Sequence, residues 1–109
     1  MNQPHLFVDI SAHGFGHLAQ AAPVINALTT RAPNLRLTVR SGLPQEKLRE
    51  RLWCTFDHLA ARSDFGYVML DAMRVDLAAT AQAYRRQHAE WERLVAQEAR
   101  LLAGLQPTL

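Results

Sequence analysis

The feature that most limits what this chain can fold into is a double change of hydrophobic period within its first forty residues. His5-Leu6-Phe7-Val8-Asp9-Ile10 is a short apolar run with no helical repeat, as expected of a buried parallel strand. Ser11 to Gly16 holds two glycines in three residues and reads as a loop. Leu18, Ala21, Ala22, Ile25 and Leu28 then fall on one face of an amphipathic helix. Pro23 lies within that face. Proline is tolerated in a helix only in the first turn, so the regular helix is predicted to begin near Gln20, after a looser turn. Ala32-Pro33-Asn34 stops it. Leu35, Leu37 and Val39 alternate with Arg36, Thr38 and Arg40, which reads as a second strand. Together these form a βαβ unit, which implies a parallel sheet and a right-handed crossover. The predicted class is α/β: a Rossmann-like open parallel sheet with flanking helices.

Further along, Gln45–Leu52 reads as a short charged helix and Cys54–Leu59 as a third strand. Phe65-Gly66-Tyr67-Val68-Met69-Leu70 fits either a strand or a packed loop. Leu77, Ala81, Tyr84, His88, Trp91 and Val95 recur at alternating spacings of four and three. With Asp76 as N-cap, and Gly104 and Pro107 as the stop, they predict one helix of roughly seven turns. Gln106-Pro107-Thr108-Leu109 looks like the approach to another strand. A length of 109 residues suits a single domain spanning 1–109. A sheet that breaks off at Leu109 would leave that domain incomplete at its C-terminal end.

Composition removes several function classes. Twelve Lys and Arg against ten Asp and Glu leave +2. Arg31, Arg36 and Arg40 against Asp9 carry that excess, scattered as surface arginines, so no basic patch invites nucleic acid. Hydrophobic residues at 49% argue against disorder. The N-terminal residues before His5 carry no Lys or Arg, and Asp9 breaks the apolar run, so no secretory signal is expected. No apolar stretch reaches the ~18–20 residues of a membrane span. Cys54 stands alone, without a disulfide or zinc partner. The expectation is a reduced, cytoplasmic setting.

The chemistry concentrates in Ser11-Ala12-His13-Gly14-Phe15-Gly16-His17, at the carboxyl end of the first strand, where open α/β sheets bind ligands. Gly14 and Gly16 let the backbone turn sharply and approach a ligand closely. The helix start beyond them offers free N–H groups to a phosphate or carboxylate. The third glycine of a dinucleotide fingerprint and the Lys-Ser/Thr of a P-loop are both missing, which disfavours a Rossmann NAD site and an ATPase. His17 has three readings: a general base kept neutral by the helix dipole, a metal ligand with His13 at i, i+4, or a local cap. With no further ligand cluster, no metal is expected, and no cofactor. His13 fits a ligand contact or a loop hydrogen bond equally. His88, on the stripe with Tyr84 and Trp91, reads as a satisfied, half-buried helix residue, and Tyr84 and Trp91 as core or interface. Cys54 reads as a small buried apolar residue.

The segment SAHGFGHLAQAAPVINAL resembles the N-terminal domain of GT-B glycosyltransferases. The likeness is to the glucuronosyl- and MurG-like (UDP-glycosyltransferase-like) enzymes. HGFGH is also shared with the glycosyltransferase-like domain of arabinose kinases. The motif covers about a dozen residues; the order of elements fits the acceptor-side domain along the chain, half of a GT-B architecture. The resemblance implies that His17 deprotonates the hydroxyl acceptor. It also implies that Ser11, His13, Gly14, Phe15 and Gly16 form the loop that approaches the acceptor or the diphosphate of a nucleotide-sugar donor. Three departures stand out. The family's Asn-Pro or Phe-Pro just after the histidine is replaced by a proline further on, at Pro23. The carboxylate that orients the base would fall at or beyond Leu109. The nucleotide sugar would bind mainly through a C-terminal domain that these residues do not contain, so no activity is expected of them alone.

Two other classes remain open from the sequence. One is a stand-alone phosphate- or nucleotide-binding module without catalysis. The other is a dimerising α/β module, a homo-oligomer through an exposed sheet edge or through the long C-terminal helix with Tyr84, Trp91 and Val95.

Overall fold

The central strand is the one whose residues alternate most strictly. In the computed structural model, which describes residues 3–109, β2 (Arg36–Ser41) lies between two parallel neighbours. β1 (His5–Ile10) pairs with it from His5–Arg36 to Ile10–Ser41, and β3 (Asp57–Leu59) pairs with Thr38–Arg40. The result is the predicted Rossmann-like α/β arrangement, a parallel sheet flanked by helices. One compact unit runs to Ser63 and includes Gln106–Leu109; the other is Asp64–Leu105.

In the first unit, strand alternation sends Leu37 and Val39 to the same face as Leu6, Val8 and Ile10. α1 (Gly16–Arg31) contributes Leu18, Ala22 and Ile25 to the core, and α2 (Gln45–Arg51) adds Leu48; Leu43 and Leu52 close it. Burial of each such leucine contributes ~1.5–3 kcal/mol. Cys54 and Phe56 pack half-buried against the same cluster.

The opposite face is polar and corrects the charge reading. Arg40 is not a surface arginine. It is only 8% exposed, and its Nη2 lies 2.7 Å from Oδ2 of Asp9, its register partner on β1. A guanidinium this buried requires such a counter-charge, and it also sits 5.4 Å from the Phe7 ring centroid. The buried His5 ring and the Thr38 hydroxyl share a 2.7 Å hydrogen bond on the same face.

Three element boundaries differ from expectation. α1 is continuous from Gly16, with Pro23 inside it, and does not start near Gln20. Pro23 cannot donate to Ala19, but both residues are exposed, so water can satisfy the freed carbonyl. β3 is three residues, not Cys54–Leu59, because the chain before it is held by α1 instead of the sheet. There Asn26, buried on α1, accepts from the Trp53 amide (3.0 Å) and donates to the Arg51 carbonyl (2.9 Å). The helix after Trp91 continues through Gly104 to Leu105, and Gln106 takes a left-handed φ of 50°. The chain then returns to the outer edge of β1. The Thr108 amide donates to the His5 carbonyl (2.7 Å), and the Phe7 amide donates to the Leu109 carbonyl (2.9 Å). This is parallel pairing, the approach to another strand that the sequence suggests, and it covers the β1 edge at His5 and Phe7.

In the second unit Phe65–Leu70 is a loop, not a strand, closed by an isolated antiparallel bridge between Met69 and Val75. At its tip, the Met73 amide and the Arg74 guanidinium hold the Asp71 carboxyl below its ordinary pKa. Asp76 caps α3 (Leu77–His88), accepting from the Ala79 amide at 2.9 Å. The expected seven-turn helix is divided at Ala89-Glu90 into α3 and α4 (Trp91–Leu105). The His88 ring nitrogen Nδ1 donates to the Tyr84 carbonyl at 2.9 Å, and the Ala89 amide bonds back to Arg86 over a tighter turn. The ladder lapses there because the Ala89 amide turns to the Arg86 carbonyl, three residues back, and leaves that of Arg85. Among the described residues no helix is long and apolar enough to cross a membrane.

Asn26→Ala removes the partners of two main-chain groups at the end of α2. It is expected to cost about 2–3 kcal/mol in chemical denaturation; an effect below 0.5 kcal/mol, the ordinary range for inert surface changes, would contradict this role.

Candidate functional site

The turn from β1 into α1 is built from one anchored residue and several exposed ones. Leu18 is 2% exposed and fixes the first turn of α1 against the core. His17 precedes it by about 100° around the helix, so its ring projects outward, and among the described residues no side chain hydrogen-bonds it. Gly14 has φ +111°, a conformation that side-chain-bearing residues adopt only under strain. His13, Phe15 and Gly16 are also exposed. A Cβ added at Gly16 would meet nothing within 4 Å, so packing does not demand a glycine there.

The helix start is electrically open. Phe15 occupies the N-cap position without a side-chain hydrogen bond, and the first turn has no acidic residue. Its amide N–H groups and the positive end of the dipole therefore face the loop uncompensated. Ser11 adds a hydroxyl oxygen that is buried and unpartnered among the described residues. Beside the loop, Lys47 Nζ stands 5.9 Å from the Phe15 ring centroid. A recess of about 140 Å³ opens there between Phe15, Leu18, Lys47, Glu50 and Arg51. That is smaller than the ~300–1,000 Å³ of preformed ligand pockets, so the loop is an open platform.

Topology gives the platform its significance. With Thr108–Leu109 beside β1, the sheet reads as fourth position, β1, β2, β3, the strand order of a Rossmann half. In such sheets the ligand crevice lies beyond the carboxyl end of β1, where the order reverses. The HGFGH turn occupies that place.

Sequence reasoning missed Arg62. It follows β3, and its Cγ and Nε would lie 2.7 and 2.8 Å from a Cβ on Gly42, with the Ala12 Cβ at 3.2 Å. Its side chain therefore crosses the ends of β1 and β2, and among the described residues its guanidinium has no ion pair. The signal was available: the rule that picked out the loop after β1 applies equally to the loops after β2 and β3. Among the described residues no three His, Cys, Asp or Glu side chains gather as a metal site. His88 is half-buried and hydrogen-bonded within α3, while Tyr84 and Trp91 are exposed. No family profile, no curated protein and no solved structure matches the chain.

The two glycines separate strain from access. Gly14→Ala is expected to lower stability by about 1–2 kcal/mol. Gly16→Ala, in open space at a helix start, should leave stability unchanged or raise it by up to ~1 kcal/mol. Chemical denaturation of both variants checks this, and equal losses would show that the loop is packed, not open.

Proposed function

We propose that this chain is the acceptor-side N-terminal domain of a GT-B glycosyltransferase, which transfers a sugar from a nucleotide-sugar donor to a hydroxyl acceptor with His17 as general base. The observation that carries the reading is an exposed histidine in the first turn of α1, three residues after a left-handed glycine in the loop that follows β1. In this reading the His17 ring accepts the acceptor's hydroxyl proton as its oxygen attacks the anomeric carbon. The bond from that carbon to the diphosphate breaks, and the diphosphate leaves with the electron pair. Ser11, His13, Gly14, Phe15 and Gly16 form the wall along which the acceptor and the diphosphate approach, and the uncapped α1 terminus favours the developing negative charge. The donor is held mainly by a second, C-terminal domain, so these residues alone are inactive. A lone cysteine fits a reducing, cytoplasmic setting.

A second reading, a stand-alone phosphate- or nucleotide-binding module, is favoured by one observation: the Arg62 guanidinium, without an ion pair among the described residues, lies across the strand ends. Calorimetry separates the two. For the acceptor domain, nucleotide sugars bind the 109 residues weakly or not at all. An enzyme joining this domain to its donor domain then loses ~10²–10⁴-fold in kcat on His17→Ala. Undiminished transfer by that variant would remove the base role. Micromolar nucleotide binding by the 109 residues, lost in Arg62→Ala, would establish the second reading instead.

A further inference from the structure

The second unit carries a repeat that the proposed activity does not use. Leu77, Tyr84, Trp91, Val95, Leu102 and Leu105, with Ala81, His88 and Glu98 between them, form one stripe at alternating spacings of four and three across α3 and α4. This 3.5-residue period, held over about four heptads, belongs to a coiled-coil seam. The spacing carries on through the joint at Ala89-Glu90. Ala89 keeps helical angles of −61° and −36°, and the rings of Tyr84, His88 and Trp91 stack across it at 4.2 and 5.3 Å. The seam is open: Leu77 is 79% exposed and Trp91 54%, and neither helix buries a residue. Phe65 flanks it, edge-on to Tyr84 at 5.7 Å.

The charges beside the seam choose its occupant. On one flank, one residue beyond Tyr84 and one beyond Trp91, stand Arg85 and Glu92; among the described residues neither makes an ion pair. The opposite flank holds uncharged Thr80, Gln87, Leu94 and Leu101. In a parallel pair each flank faces the other kind of flank, so both charges would meet neutral residues. In an antiparallel pair each flank faces its own kind, and Arg85 meets Glu92 of a second copy twice, by two-fold symmetry. The same register sets Tyr84 opposite Val95, His88 opposite Trp91 and Leu77 opposite Leu102. Charge pairing and full overlap of the seam thus coincide. Glu98, the one acidic residue on the stripe, falls opposite Ala81, where the small side chain leaves its carboxylate a path to the edge.

We propose that the chain self-associates as a symmetric dimer through an antiparallel two-helix seam formed by α3 and α4 of each copy. The seam lies wholly in the second unit and is independent of the proposed activity. Sedimentation equilibrium on the whole chain tests it, with circular dichroism confirming that each variant keeps its helix content. The wild type should be a dimer. Arg85→Glu should weaken it ~tenfold, and adding Glu92→Arg should restore it to within about threefold, as expected when two exposed ion pairs are reversed and then rebuilt. Leu102→Lys should give a monomer. For orientation, Ala81→Cys and Glu98→Cys chains, both with Cys54→Ser, should cross-link to each other on mixing. A wild type that stays monomeric at all concentrations would overturn the proposal. So would a dimer indifferent to charge reversal, or one in which Ala81→Cys chains cross-link mainly to themselves.

Discussion

The Arg40–Asp9 ion pair is the constraint on which the first unit depends. β2 is flanked by strands on both edges, and Arg40 lies almost fully buried on its polar face. Removing Asp9 would take its carboxylate from a nearly buried guanidinium, and breaking a buried pair from one side costs about 3–5 kcal/mol. The pair therefore locks β1 and β2 in one register, and a slip by a single residue would break it while exposing the apolar face. Nearby hydrogen bonds reinforce the same alignment. The His5 ring meets Thr38 at one end of the sheet, and at the other the His58 Nε2 donates to the Ser41 carbonyl while the Leu43 amide donates to the Ser41 hydroxyl.

Fixing that register fixes where β1 ends, and so where the glycine turn begins. Ile10 and Leu18 are both buried, and the chain between them makes its turn with a left-handed Gly14. The turn is held rigidly at both ends and left open in the middle. A chemical group is best presented on such a scaffold, because the strand and helix hold its position while the loop keeps the backbone accessible.

Much of this was legible in the sequence wherever one force dominated. β1 follows from its short apolar run, β2 from its alternation, and the Asp76 cap from its place before a periodic run. Legibility failed where a single contact intervened. Nothing local in Trp53 reveals that its amide is claimed by Asn26, 27 residues away, which delays β3. The break at Ala89-Glu90, where the Ala89 amide bonds Arg86 three residues back, falls in a segment whose apolar spacing runs through unbroken. Arg40 reads as surface because a charge in an alternating strand usually is; only pairing across to β1 shows otherwise. In the site, the glycines and His17 stand out by composition. Arg62 does not, because its place depends on three strands ending together.

The two units use their apolar residues in opposite ways: the first buries them around β2, and the second leaves them along an open seam. The most direct test of the central claim, that the β1–α1 turn is where this chain meets its ligand, is an NMR titration of backbone amides with a nucleoside diphosphate. Even millimolar binding is visible by this method. The expected result is that the largest shift changes fall on Gly14, Gly16, His17 and Leu18. Saturable changes centred on α3 and α4, or on any surface other than this turn, with residues 14–18 unmoved would contradict it.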